Sequence, residues 1–140
     1  GTGELLQAAP GFMLVMSYNP GYKNLMKGLK PSTRQRFVSV GFDYPTVEAE
    51  ASIVATEASV SLELATQLSN IAASLRQLRD ADLEEAPSTR LLILCAQLIN
   101  SGLDMATATE AALVQTLTDD ATTQEAIRQV INAITPSTSL

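Results

Sequence analysis

All six aromatic residues of this 140-residue chain lie before residue 45, and so do six of its seven glycines. Charge divides at nearly the same place. Through Phe37 there are five basic residues (Lys23, Lys27, Lys30, Arg34, Arg36) against Glu4 alone, and beyond it four basic residues face fourteen acidic ones. Such a break marks two parts with different jobs and different ways of making a core. The expected boundary puts residues 1–45 in one part and 46–140 in the other.

The first part reads as strand, long loop, strand. The run Phe12-Met13-Leu14-Val15-Met16, ending at Ser17, is continuously apolar, as expected of a strand covered on both faces in a parallel sheet. Residues 18–30 hold Pro20, Gly21 and Gly28 and read as loop. Phe37-Val38-Ser39-Val40-Gly41-Phe42 reads as a second strand, ended by Asp43-Tyr44-Pro45.

The second part reads as a helical bundle, so the fold class is mainly α. Thr46 can cap a helix carrying Val47, Ala51, Val54 and Ala58. Leu64, Leu68, Ile71, Leu75 and Leu78 recur every three or four residues, one stripe of a second helix. Ser88 can cap a third, whose middle, residues 91–99, is apolar nearly all round and is expected at the bundle centre. Asp104 caps a fourth after Gly102, and Thr122-x-x-Glu125 is a capping box for a fifth bearing Ile127, Val130, Ile131 and Ile134.

Several chemistries are excluded at once. With no histidine and a single cysteine, Cys95, the chain can build no His-based acid/base pair, no His- or thiolate-ligated zinc site and no internal disulfide. Cys95 sits in the most apolar helix and reads as a small buried hydrophobe. Asp119-Asp120 has no further ligands at suitable spacing, so a helix-start role is expected and no metal site. No apolar run approaches the ~18 residues of a membrane span, and a cytoplasmic location is expected. Lys23, Lys27 and Lys30 with Tyr18 and Tyr22 form a basic and aromatic cluster. Against a net charge of −6 and without a nucleic-acid motif, no nucleic-acid partner is expected.

Four segments in order then carry the functional reading: Leu14-Val15-Met16-Ser17-Tyr18-Asn19-Pro20-Gly21-Tyr22, Leu29-Lys30-Pro31-Ser32-Thr33-Arg34-Gln35-Arg36-Phe37, Phe42-Asp43-Tyr44-Pro45 and Ser88-Thr89-Arg90-Leu91-Leu92. Taken singly, each has an ordinary explanation. Asn19 can cap its own turn before Pro20, Arg34 and Arg36 can be a solvated pair, and Arg90 can partner Glu84 or Glu85. Together they resemble the C-terminal half of MoxR-type AAA+ ATPases, in particular the branch of NorQ, NirQ and CbbQ, with the gas-vesicle protein GvpN more distant.

The resemblance implies the tail of an AAA+ α/β core, of two strands, followed by a helical lid. It implies that Asn19 is sensor 1, holding the attacking water at the carboxyl end of a strand. It implies that Arg36 is the arginine finger, supplied to a neighbouring subunit to stabilise charge on the transferring phosphoryl group. Arg34 is the alternative finger; in an extended segment it points opposite to Arg36, which directly precedes the aromatic that starts the strand. Arg90 is sensor 2, in the first turn of a lid helix, where the helix dipole disfavours a cation.

The other half of such an enzyme is missing from the sequence. No G-x-x-x-x-G-K-[ST] loop occurs, and the chain begins Gly1-Thr2-Gly3. The expectation is therefore a fragment, inactive alone and binding no cofactor tightly. The intact protein would use ATP and Mg²⁺, assemble as a ring (expected to be a hexamer), and work with a von Willebrand A-type partner. Its client would be a metalloenzyme, of the nitric oxide reductase or rubisco type. Orphaned strands would pair with each other or with a second copy. The alternative function is a non-catalytic helical interaction module.

Overall fold

The computed structural model describes residues 3, 5–18, 28–78 and 86–135. It divides into two compact units, Gly1–Phe42 and Asp43–Leu140. The break falls three residues before the expected boundary.

In the first unit the two expected strands do not form. Among the described residues there is no strand anywhere, and residues 12–17 and 37–42 make no ladder, with each other or with another segment. A strand exists only through its neighbour, and an apolar run without one gains nothing by being extended. The side chains stay in solvent: Val38 is 94% and Phe42 92% exposed. What does form is local. Phe12 N–H donates to Ala9 O at 3.0 Å, closing a turn with Pro10 and Gly11 at its corners. Gly11 has φ +82°, the value a type II turn demands at its third position. Helix α1, Pro31–Arg34, is a single turn begun by a proline at its first position, where a missing N–H costs nothing.

The second unit is a bundle of helices, five of them started by a capping side chain. α2 (Val47–Ala58) is capped by Thr46, whose Oγ1 accepts from Ala49 N–H at 3.3 Å. α3 (Leu62–Gln77) is capped by Ser61 and α4 (Thr89–Asn100) by Ser88. Asp104 caps α5 (Met105–Thr109), which runs through a π-helical turn, Glu110–Val114, into the short α6 (Gln115–Leu117). α7 (Ala121–Ile134) is capped by Asp120, which accepts from Thr123 N–H at 2.7 Å. The capping box expected at Thr122 is therefore displaced. The acidic side chain two residues earlier accepts a stronger, charge-assisted bond and also takes the Thr123 hydroxyl, at 2.8 Å.

α4 ends in a Schellman arrangement. Leu103 N–H reaches back to Leu98 O and Gly102 N–H to Ile99 O, with Gly102 at φ +111°. The core is made where α2 packs on α3 and α4, α3 on α7, and α4 on α5 and the π turn. Leu68, Ile71, Leu75, Leu92, Leu113 and Ile127 are fully buried there. Cys95 lies among them, and burial pushes its thiol up to about 12, so it stays protonated. α4 packs against α2, α3, α5 and the π turn, as expected of a helix at the bundle centre, but it is not covered all round: Leu92, Cys95 and Ala96 face inward, and Leu94 is 47% exposed. These neighbours do not enclose its full circumference.

Candidate functional site

The best-organised polar site lies under the start of α4. Glu50 belongs to the inner face of α2, three residues after Val47 and four before Val54, and it is fully buried. A lone buried carboxylate would be very costly. Arg76, near the end of α3, meets it with a two-pronged bond: Nη1 donates to Oε2 and Nη2 to Oε1, each at 2.7 Å. Thr89 Oγ1 donates to the same Oε1 at 2.6 Å. Arg76 Nε and Nη2 also donate to the carbonyl of buried Pro87, at 3.0 and 2.8 Å. Four of the five guanidinium donors are thus used, in the fork geometry for which arginine is suited. The ring of Tyr44 closes the other side, 3.8 Å from the guanidinium carbon.

Arg90 follows Thr89 directly, in the first turn of α4, and is exposed. The helix start beneath it is held three times: by the Ser88 cap, by Thr89 on Glu50, and by Pro87 on Arg76. Of the other expected site residues, Arg34 closes α1 and Arg36 follows it, both exposed in the first unit. Arg36 N–H donates to Thr33 O and Phe37 N–H to Arg34 O, so this stretch is a turn. The alternation that set Arg34 and Arg36 on opposite sides of an extended segment does not apply. Asn19 lies outside the described residues, as do Tyr22, Lys23 and Lys27 and the acidic pair Glu84 and Glu85.

Nothing in the sequence reading anticipated Glu50 and Arg76. A signal was present, since an acid on the apolar face of α2 has to find a buried partner. Its partner lies 26 residues away, beyond any local pattern.

A second ion pair marks the π turn. Arg128 donates to both oxygens of Glu110, at 2.9 and 2.8 Å, and Gln115 Nε2 donates to Oε1 at 2.7 Å. The Arg128 bond, then the Gln115 bond, hold the Glu110 carboxyl down to about 2. The pair sits in an open cleft with Asp104, Thr109 and Asn132. Among the described residues no group of three or more Asp, Glu or Cys side chains could hold a metal ion, and no helix is long and apolar enough to cross a membrane.

A sequence profile described as CbbQ/NirQ/NorQ C-terminal matches residues 50–134, from within α2 to the end of α7. The chain belongs to that family. Pairwise similarity extends over the first unit as well. The chain is 52% identical over 131 residues to the denitrification regulatory protein NirQ of Pseudomonas aeruginosa, covering 94% of this chain and 50% of that protein. It is 48% identical over 133 residues to protein NorQ of Paracoccus denitrificans, 95% and 49% of the two chains. With protein CbbQ of Hydrogenophilus thermoluteolus it shares 44% over 126 residues, 90% and 47%. The chain therefore spans about half the length of these curated relatives. The branch to which its motifs point is the one found.

Proposed function

We propose that this chain is the sensing half of a MoxR-type AAA+ ATPase that uses ATP hydrolysis to remodel or activate a client metalloenzyme. The observation that carries this reading is membership of the CbbQ/NirQ/NorQ C-terminal family, in which relatives are named as denitrification regulators. The geometry supports it at one point. Arg90 stands exposed on a helix start fixed by three separate anchors, as a residue that must meet a phosphate should be.

In this reading Asn19 orients the attacking water, Arg36 or Arg34 reaches a neighbouring subunit's phosphoryl group, and Arg90 contacts the same nucleotide from the lid. Each group neutralises or positions charge, which is what phosphoryl transfer asks of a protein. The residues described here do not fit Mg²⁺, so the ion belongs to the phosphate-binding part of the intact protein, and no step runs through it in this chain. The runs at residues 12–17 and 37–42 become core strands once sheet neighbours flank them. The intact protein is a cytoplasmic ring, a hexamer, working with a von Willebrand A-type partner.

The test is ATP turnover by the uninterrupted reading frame that contains this chain. Arg36→Ala should lose most turnover, on the order of the 10³-fold or more a missing finger costs, while still assembling. Wild-type turnover in that variant and in Arg34→Ala would overturn the finger assignment, and an absence of turnover in the wild type itself would leave a non-catalytic helical interaction module in its place.

A further inference from the structure

We propose that Arg76 and Thr89 are positioning residues for Arg90. The proposal rests on the nucleotide-sensing reading of Arg90 given above and assigns the parts that hold it in place.

A buried ion pair is not the cheapest way to hold three helices together. Well-packed apolar side chains of similar volume do so at least as well, because two charges must first leave water. What the pair adds is one fixed geometry. Arg76 has a single arrangement that satisfies Glu50 and Pro87 O together, with its face against Tyr44. That arrangement ties three points: the segment entering this unit at Tyr44, the inner face of α2 at Glu50, and the two residues on either side of the α4 cap. Pro87 precedes Ser88, and Thr89 follows it. Arg90 is the next residue, so any shift of the guanidinium at Arg76 moves the backbone from which Arg90 projects. Thr89 is the finest link, a single hydroxyl bonded at 2.6 Å to a carboxylate that Arg76 holds in place. Displacements of about 1 Å are enough to cost a positioned group much of its effect.

A double-variant cycle in the uninterrupted reading frame separates positioning from plain stability. Thr89→Val keeps the shape and removes the hydroxyl; it should lower ATP turnover about tenfold, the scale of one hydrogen bond to a charged group. Thr89→Ser, which keeps the hydroxyl, should restore it. In an Arg90→Ala background, Thr89→Val should have no further effect on turnover, although its effect on melting temperature persists. Arg76→Lys, which keeps the charge and loses the fork, should behave in the same way if Thr89→Val folds poorly.

Equal losses in both backgrounds, or no loss from Thr89→Val or Arg76→Lys in the wild-type background, would overturn the positioning role alone. Wild-type turnover in Arg90→Ala would overturn the sensing reading of Arg90, and the positioning role with it.

Discussion

The two units of this chain solve the same problem with different information. In Asp43–Leu140 the capped helices carry their own start signals and apolar stripes, and the stripes meet within the unit. In Gly1–Phe42 the apolar runs are as hydrophobic as any helix stripe, yet they stay exposed and unpaired. A helix closes its hydrogen bonds on itself, whereas a strand must borrow a neighbour's. A helical bundle can thus be complete in a stretch of sequence where a sheet cannot.

The largest effect should come from breaking the buried network of the second unit. Arg76→Met leaves the Glu50 carboxylate without its partner and should cost about 3–5 kcal/mol. Replacing both, as Glu50→Leu with Arg76→Met, should recover most of that loss. Urea unfolding followed by helix signal checks both, and a double variant as weak as the single one would refute the pairing.

Next comes a direct contrast of units. Leu75→Ala removes a fully buried side chain and should cost about 2–5 kcal/mol. Val40→Ala, in an exposed run of the first unit, should change stability by less than about 0.5 kcal/mol. A large effect at Val40 would mean that the first unit packs in solution in a way that the contrast denies.

Acid should act through the second unit. The hydrogen bond from Thr107 N–H holds the Asp104 carboxyl below its ordinary value, and the bond from Thr123 N–H does the same for Asp120. Glu110 is held at about 2, against an ordinary 4.5. Each group binds fewer protons folded than unfolded, so stability rises with pH across that interval. The contribution is complete above the ordinary carboxylate range and is lost as pH falls through it toward about 2. A melting series from pH 7 down to 2 should show the decline, and Asp120→Asn should reduce it.

The smallest effect is a gain. Ser69 is buried in α3 with a hydroxyl that has no partner among the described residues. Ser69→Ala should raise stability by about 1 kcal/mol, read as a higher urea midpoint at unchanged slope.

Much of the second unit was legible because its information is local. Thr46, Ser88 and Asp104 were readable as caps, and the Leu68, Ile71, Leu75 stripe as core. The last cap misled because Thr122 and Asp120 compete two residues apart, and the carboxylate wins. The apolar circumference of α4 agrees with its place among α2, α3, α5 and the π turn, but hydrophobicity does not say which side the neighbours leave open; Leu94 lies on that side. The π turn at Glu110–Val114 left no pattern in the spacing that a regular helix would not share. The place of Arg90 in the first turn of α4 was legible through the Ser88 cap. The network beneath it was not, because a Glu50–Arg76 contact is a property of how α2 and α3 pack. In the first unit, α1 and the turn before Phe12 arose from Pro and Gly, while the strand expectation needed partners that a single run cannot specify.

The central claim is that Arg36 acts on a neighbour's nucleotide, and subunit complementation tests it most directly. The uninterrupted reading frame is prepared as Arg36→Ala, as Asn19→Ala, and with the two variants co-expressed in equal amounts. Action across a subunit boundary predicts that each variant alone is nearly inactive. The mixture should regain turnover, with about one interface in four pairing an intact Asn19 with an intact Arg36. A mixture that assembles and remains as inactive as its components would contradict a finger supplied between subunits.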